Sequence, residues 1–469
     1  MNLLISQLIA LLPWLLGALS LYILMPRYFH SDLGFKCLMI GSSFLIGYVS
    51  LAAQIWLLDQ LHIKAISPFL LVTSSGIFLA TFAAKSLFKE PVTDLDDSRT
   101  THELNFTFCV ILAIGIIVTL FVIHENFLWP AVAWDTVWYW SIEANEFLIR
   151  EGSKKDDSFS TIGPHPKTLI YITAWGGWSA SFGDPIRLAP FIPWLQLYLA
   201  IGISIFGLFL RKTESLTISI VFTYMFLSTP LVEAHASLGG YGELWLAFGL
   251  FLSIIFFNDF QETRDIKLLV LAIILALIPT LLKGYGIAYT VAILATFFLI
   301  PTAKKLGQPI IFVYFCLLFV MPFSLHVFNF DLRSIGINFA ILPEKEFLIA
   351  FGRELVLGAN DLSRIFYNLY VAIFVKNSFG IVFFIIAVSY IYLMIDLIFK
   401  RDMKILPIMI LFTSIMCILI TGLRYTDYLF SFSHPGNDSS LSRALLTLFL
   451  LGFVIISTNI GKLAKINKL

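Results

Sequence analysis

The chain has 469 residues, of which 59% are hydrophobic and only 13% charged. Soluble domains run at about 45–50% apolar and about 25% charged, and the mean hydropathy here is +0.89. A water-soluble enzyme, a disordered regulator and a nucleic-acid binder are excluded, and 31 Lys+Arg against 30 Asp+Glu imply no global polyanion-binding charge. The composition predicts an all-α polytopic membrane protein. Its four cysteines, Cys37, Cys109, Cys316 and Cys417, all sit in apolar stretches. They form neither a loop disulfide framework nor a CxxC pair, so they read as small core residues.

A spanning helix needs about 20 mostly apolar residues. Such runs fall near 3–25, 37–58, 67–87, 106–124, 186–210, 216–229, 244–257, 268–282, 287–300, 310–328, 379–399, 405–421 and 441–461. The expectation is therefore about 13 transmembrane helices, with interfacial helices in the extracytoplasmic loops. The pair 268–282 and 287–300 is short, and reads as a re-entrant hairpin or as two tilted spans meeting at Lys283–Gly286. The first run lacks a basic leader and a small-residue cleavage site, so it reads as a retained helix.

Basic residues set the orientation. Short connections carry Arg27 and Lys36, Arg211 and Lys212, Arg264 and Lys267, Lys304 and Lys305, Lys400, Arg401 and Lys404, and the tail lysines from Lys462 onward. These predict the cytoplasmic side. The long segments 125–185 and 329–378 are sparse in basic residues and predict extracytoplasmic loops. Residues 1–105 read as scaffold helices, and 106–469 as the region that carries chemistry. The composition suggests a bacterial cytoplasmic membrane.

The polar clusters all fall on the predicted outer side. Asp135 lies in the aromatic run Trp134–Trp140 and opens a segment, 136–150, with helical period: Val137, Trp140, Ala144 and Phe147 share one face, and Glu143, Glu146 and Arg150 the other. An aspartate there caps the helix, and an apolar setting also suits a carboxylate to general-base work. Gly163-Pro-His-Pro-Lys167 is a rigid turn in which His165 and Lys167 are candidates for an anionic group; a snorkelling lysine is the plainer account.

Glu233-Ala-His-Ala-Ser-Leu-Gly-Gly-Tyr-Gly-Glu243 follows. Its glycines let a backbone approach a ligand, and Glu243 complements a helix N-terminus. His235, Tyr241 and Glu243 within one membrane-level turn make it a candidate site. Lys283-Gly-Tyr285-Gly places a lysine at an outer turn whose N–H groups could face an anion. Arg424, and Ser440-Leu-Ser-Arg443 at the start of the last span, add arginines suited to phosphate. There is no Walker loop, HExxH or GxSxG, and none of these outer clusters carries a DxD to support a metal.

The order of these segments resembles the GT-C superfamily of integral-membrane glycosyltransferases, which includes the aminoarabinose transferases and the protein O-mannosyltransferases. The resemblance covers roughly 125–460. It rests on Asp135 before an interfacial helix, the proline turn 163–167, the Gly240-Tyr-Gly-Glu243 turn, the Lys283 turn and Ser440-Leu-Ser-Arg443. It implies a polyprenyl-phosphate-linked sugar as donor and a cell-envelope glycan, lipid or protein as acceptor. It implies catalytic roles for Asp135 and Glu243, and substrate contacts from His165, Lys167, Tyr241, Lys283, Tyr285, Arg424 and Arg443, with no cofactor. The alternatives are a polysaccharide polymerase or ligase using a diphosphate-linked glycan, and a transporter or lipid flippase.

Overall fold

The computed structural model describes residues 2–61, 82, 106–128, 143–144, 147, 167–180, 192–306, 309–324, 330–331, 339–342, 347–350, 353–356, 362–375, 378–400, 403–425 and 439–466. The chain is helical, and eight described helices are long and apolar enough to cross a membrane, or nine if a bent pair is one span. Of the run 67–87 only residue 82 is described, and much of loop 125–185 also lies outside the described residues.

The helices form two compact units. One comprises Met1–Ile162, Lys167–Trp245 and Ile460–Leu469; the other comprises Gly163–Pro166 and Leu246–Asn459. In the first, the Leu33–Gln60 helix packs between Asn2–Leu24 and Ile192–Thr213. In an apolar solvent, leucine gains little by meeting leucine, so helices associate by close backbone approach over small residues. The sequence supplies those residues. A Cβ on Gly41 would strike the Ser204 hydroxyl and stand 2.9 Å from the Ala200 carbonyl. One on Gly207 would strike the Gly34 carbonyl and stand 2.7 Å from Cys37 Cβ. Farther along the same pair, the Tyr48 hydroxyl lies 2.6 Å from Gln196 Oε1 and 2.8 Å from the Ala10 carbonyl. The scaffold helices thus carry a buried polar lock as well as apolar contacts.

The run 216–229 is not a straight span. The Leu216–Leu227 helix bends by 66° into Pro230–Ser237. Pro230 has no N–H to donate and is at home in a first helical turn, so the chain starts a new helix there. The carbonyls released at the break are used: the Tyr198 hydroxyl donates to Leu227 O and Thr229 Oγ1 to Met225 O, both at 2.8 Å. The Phe106–Leu128 helix packs on both halves and exposes Val110, Ile114, Ile117 and Phe121, as a lipid-facing helix does.

In the second unit, Leu406–Tyr425 is central and packs against Gly286–Leu306, Pro309–Ser324, Leu362–Tyr370 and Val382–Lys400. The Tyr314 hydroxyl meets Ser414 Oγ at 2.9 Å and the Tyr390 hydroxyl meets Thr413 Oγ1 at 2.6 Å. The runs at 268–282 and 287–300 form a hairpin of two helices, Ile266–Leu282 and Gly286–Leu306. The second is span-length over Gly286–Ala303, and the first is shorter.

Two features depart from the sequence reading. The long segment 329–378 contains a small four-stranded antiparallel sheet, ordered β1 (Phe330–Asp331), β2 (Phe339–Leu342), β3 (Phe347–Ala350), β4 (Arg353–Val356), in a chain whose other described elements are all helices. Ala350 pairs with Arg353 across two residues that include Gly352, a spacing suited to a tight hairpin. Of the cysteines, Cys417 is buried but Cys109 and Cys316 are exposed on apolar helices. Lipid is as apolar as a core, so burial within protein was not readable from their neighbours.

Gly207→Val is expected to cost about 1–3 kcal/mol, because the new side chain overpacks a backbone contact. Gly115→Ala, whose Cβ finds only Tyr224 at 4.0 Å, is expected to be neutral. Denaturant unfolding of the two variants in one detergent makes the comparison; equal stability would refute the close crossing.

Candidate functional site

The described ionisable residues singled out by sequence gather at interruptions of helices. In the first unit, the Pro230–Leu238 helix ends at Gly239 and Gly240, with φ of 66° and 81°. Only glycine adopts those angles without strain. The chain then passes through Tyr241 and Gly242 and enters the Glu243–Thr263 helix, of which Glu243 is the first residue. Glu243 is 5% exposed and His235 is 1% exposed. The His235 ring lies 4.9 Å from the Tyr241 ring, and its Nδ1 is 2.8 Å from the Leu231 carbonyl. A carbonyl only accepts, so Nδ1 carries the proton in this contact.

The turn is held from behind by a residue the sequence did not mark. Trp194 Nε1 donates to the Tyr241 carbonyl at 2.7 Å. Trp194 is fully buried and packs edge-on to Trp245, with centroids 5.6 Å apart, and Trp245 also meets Phe44 at 4.9 Å and Tyr48 at 5.6 Å. An aromatic platform therefore fixes the backbone that precedes Glu243.

In the second unit, Lys283 sits between the two helices of the hairpin and is 7% exposed. Its Nζ lies 5.9 Å from the centroid of Tyr285, near the outer reach of a cation–π contact, and Tyr285 packs edge-on to Tyr289 at 5.7 Å. The hairpin closes tightly. A Cβ at Gly286 would strike the Pro279 carbonyl, and Thr290 Oγ1 donates to the Ala276 carbonyl at 2.8 Å. The Gly286 N–H donates to Lys283 O at 2.9 Å and the Ala288 N–H to Tyr285 O at 3.1 Å. Those amides serve the turn itself. The Lys283 ammonium is the charged group of this turn suited to an anion.

A third assembly, in the first unit, surrounds Tyr171. Lys167 precedes the Thr168–Ala180 helix, as expected, and its carbonyl accepts from the Tyr171 N–H at 3.1 Å. The Tyr171 hydroxyl donates to Asp59 Oδ2 at 3.0 Å, and its ring meets Phe147 edge-on at 5.4 Å. Ala144 and Phe147 are both buried, so the face on which sequence placed them packs against protein. A scaffold helix, the segment after Asp135 and the segment after the proline turn all meet at this one residue. Tyr171 lies in an apolar run, where nothing in the sequence separates it from a lipid-facing tyrosine.

Asp135 and His165 lie outside the described residues. Arg424, near the end of Leu406–Tyr425, and Arg443, in the Ser439–Ile466 helix, are both half-buried. The structure brings together His235 with Tyr241 and Lys283 with Tyr285, and it buries Glu243 and Lys283. Among the described residues, no cluster of three His, Cys, Asp or Glu side chains could hold a metal. No protein-family model, no curated protein and no solved structure matches the chain.

Trp194→Phe keeps the aromatic stack and removes the N–H donor. The expected loss is about 1 kcal/mol, with faster amide exchange at residues 239–243; unchanged exchange there would show that the bond does not hold the turn. Tyr171→Phe keeps the Phe147 contact and removes the bond to Asp59. A loss of about 1 kcal/mol is expected, and combined with Asp59→Leu it should add little; fully additive losses would separate the two groups.

Proposed function

We propose that the protein is an inverting glycosyltransferase. It moves a sugar from a polyprenyl-phosphate donor to a cell-envelope glycan, lipid or protein on the extracytoplasmic face of a bacterial inner membrane. The observation that carries the reading is Lys283: a buried ammonium in a closed turn between two apolar helices. A lysine in such surroundings is expensive, and ionisable residues at membrane depth mark sites of substrate or ion handling. A lipid-linked phosphate brings the matching charge and arrives from the same apolar phase.

In this reading Lys283 binds the donor phosphate and stabilises the charge that develops on it as the bond to the anomeric carbon breaks. Arg424 and Arg443 supply further cations, with Lys167 and His165 as additional phosphate contacts. The carboxylate of Asp135 takes the proton from the acceptor hydroxyl. The acceptor oxygen forms the new bond to the anomeric carbon, and polyprenyl phosphate departs. One base and no protein nucleophile give inversion. Glu243, held by the glycine turn, orients the acceptor, with Tyr241 and Tyr285 lending aromatic faces to sugar rings.

A second reading has one observation in its favour. The 66° break between Leu216–Leu227 and Pro230–Ser237 is of the kind transporters use to expose backbone to a substrate. Its released carbonyls, however, are taken by Tyr198 and Thr229, which leaves the transferase as the better account. A polymerase or ligase taking a diphosphate-linked glycan would use the same cations.

The test is thermal stabilisation of purified protein in nanodiscs. Polyprenyl phosphate and its sugar conjugates are expected to raise the melting temperature with or without EDTA, and nucleotide sugars are not. Lys283→Ala is expected to weaken the response at least tenfold, the loss of one charged hydrogen bond of about 1.5–3 kcal/mol. A wild-type protein indifferent to every lipid phosphate would overturn the transferase, and substrate-dependent solute uptake would then favour the transporter.

A further inference from the structure

A helix with no part in the chemistry above closes the long segment of the second unit. It is Leu362–Tyr370, followed by a widened π-helical turn, Val371–Val375. Its side chains fall into three sectors. Ile365, Leu369, Ala372 and Ile373 are buried, and the helix packs on Leu406–Tyr425. Arg364 and Asn368, one turn apart, make a polar edge. The third sector is a row of rings: Phe366, Tyr367, Tyr370 and Phe374 face outward, Tyr367 most of all at 65% exposed. Tyr370 lies against Phe374 with ring centroids 5.8 Å apart, so the row continues through the π-helical turn.

A helix that docks one apolar face on protein ordinarily turns polar residues to water. Here four buried side chains already meet the need for packing, and a second apolar face is left over. Contiguous apolar surface of that kind marks an interaction site. The chain that follows indicates what covers it. Gly380 has φ of 55° and a Cβ there would touch nothing, so this glycine serves a change of direction and not a close contact. The span-length helix Val382–Lys400 then begins, and it packs on the same Leu406–Tyr425 helix. Ile381, Phe384, Val388, Ile391 and Ile395, spaced three and four apart, are each more than half exposed and form its lipid-facing ridge. Along the chain the exposed surface therefore changes from rings, two of them with hydroxyls, to mostly aliphatic side chains. A bilayer is entered in that order, amphipathic rings at the headgroup level and aliphatic groups among the acyl chains.

We infer that the Phe366–Tyr367–Tyr370–Phe374 row docks on the interface of the lipid bilayer. The helix lies along the membrane surface with its rings among the headgroups, its polar edge toward water and its remaining face on the protein. The inference rests on the membrane-spanning character of the chain and not on the transferase reading. A glycan also stacks on rings, but two of the four rings carry no hydroxyl and the polar residues stand off to one edge, which favours lipid. The row itself carries no charge, so the lipid it meets need not be anionic. The sheet ends at Val356, five residues before Leu362, a tether of at most about 20 Å. An anchored helix therefore keeps the sheet close to the membrane surface.

The experiment uses the full chain in nanodiscs, with a photoreactive benzophenone amino acid in place of Tyr367, Tyr370, Arg364 or Ile391, one at a time. After irradiation, adducts are identified by mass spectrometry. Phospholipid adducts are expected at positions 367 and 370, severalfold above the yield at 364, and at 391 in the span. Those at 367 and 370 should fall on the headgroup and glycerol and those at 391 on the acyl chains. Phosphatidylcholine alone should serve as well as a mixture with phosphatidylglycerol, without weakening by salt. If the chain with the probe at 370 fails to fold, Phe374 takes its place. The double substitution Tyr367→Ser with Tyr370→Ser is expected to speed amide exchange across residues 362–375 severalfold, and Lys283→Ala is expected to leave it unchanged, which separates the anchor from the proposed donor site. Lipid yields at 367 and 370 no higher than at 364, adducts to a second copy of the chain or to an added oligosaccharide in place of lipid, or exchange indifferent to the tyrosine substitutions overturns the inference.

Discussion

Helices that share an apolar solvent cannot be held together by apolar area alone, because lipid offers each of them the same contacts. They must come close enough for backbone to touch backbone. In the first unit this is done where Gly34 and Gly207 face each other and where Gly41 meets Ser204. The rest of that unit follows from the crossing. It aligns Tyr48 with Gln196 at one level and Phe35 with Arg211 at another. The polar contacts are therefore consequences of a register set by glycine, and a side chain inserted at Gly207 would misplace both.

A second constraint acts where helices stop. A backbone group without a partner costs several kcal/mol in an apolar medium, so every interruption has to be satisfied locally. The bend before Pro230 is served by Tyr198 and Thr229. The Lys283 turn is served by its own carbonyls and by the contact of Gly286 with Pro279. The turn before Glu243 is served by Trp194. These are also the places where ionisable side chains collect. An interruption gives a polar side chain a fixed origin at the end of a rigid helix, and its backbone need not be freed to hold a ligand. The chemistry then falls to the side chains.

Much of the fold was legible in hydropathy because the signal is strong: a run of about 20 apolar residues leaves few alternatives. The described helices begin and end within a few residues of most of the expected runs. Ile192–Thr213 begins six residues later than the run 186–210, and Leu33–Gln60 begins four residues before the run at 37. The sheet in 330–356 was not legible. Its strands are two to four residues long, too short for alternation to rise above the background of an apolar chain.

The candidate site was legible only in its ionisable residues. Lys283 and Glu243 announce themselves because charge is rare in an apolar context. Tyr171, Trp194 and Tyr48 do not, because an aromatic residue reads the same whether its polar tip reaches a headgroup, an aspartate or a carbonyl. The same limit hid the contact of Arg211 with Phe35. Sequence placed Arg211 on one side of the membrane as an orientation signal, and nothing in its spacing revealed the ring beside it. Where the bulk of a chain is apolar, its charges show which side faces water. The aromatic groups that fix those charges in place emerge only once glycine has brought the helices together.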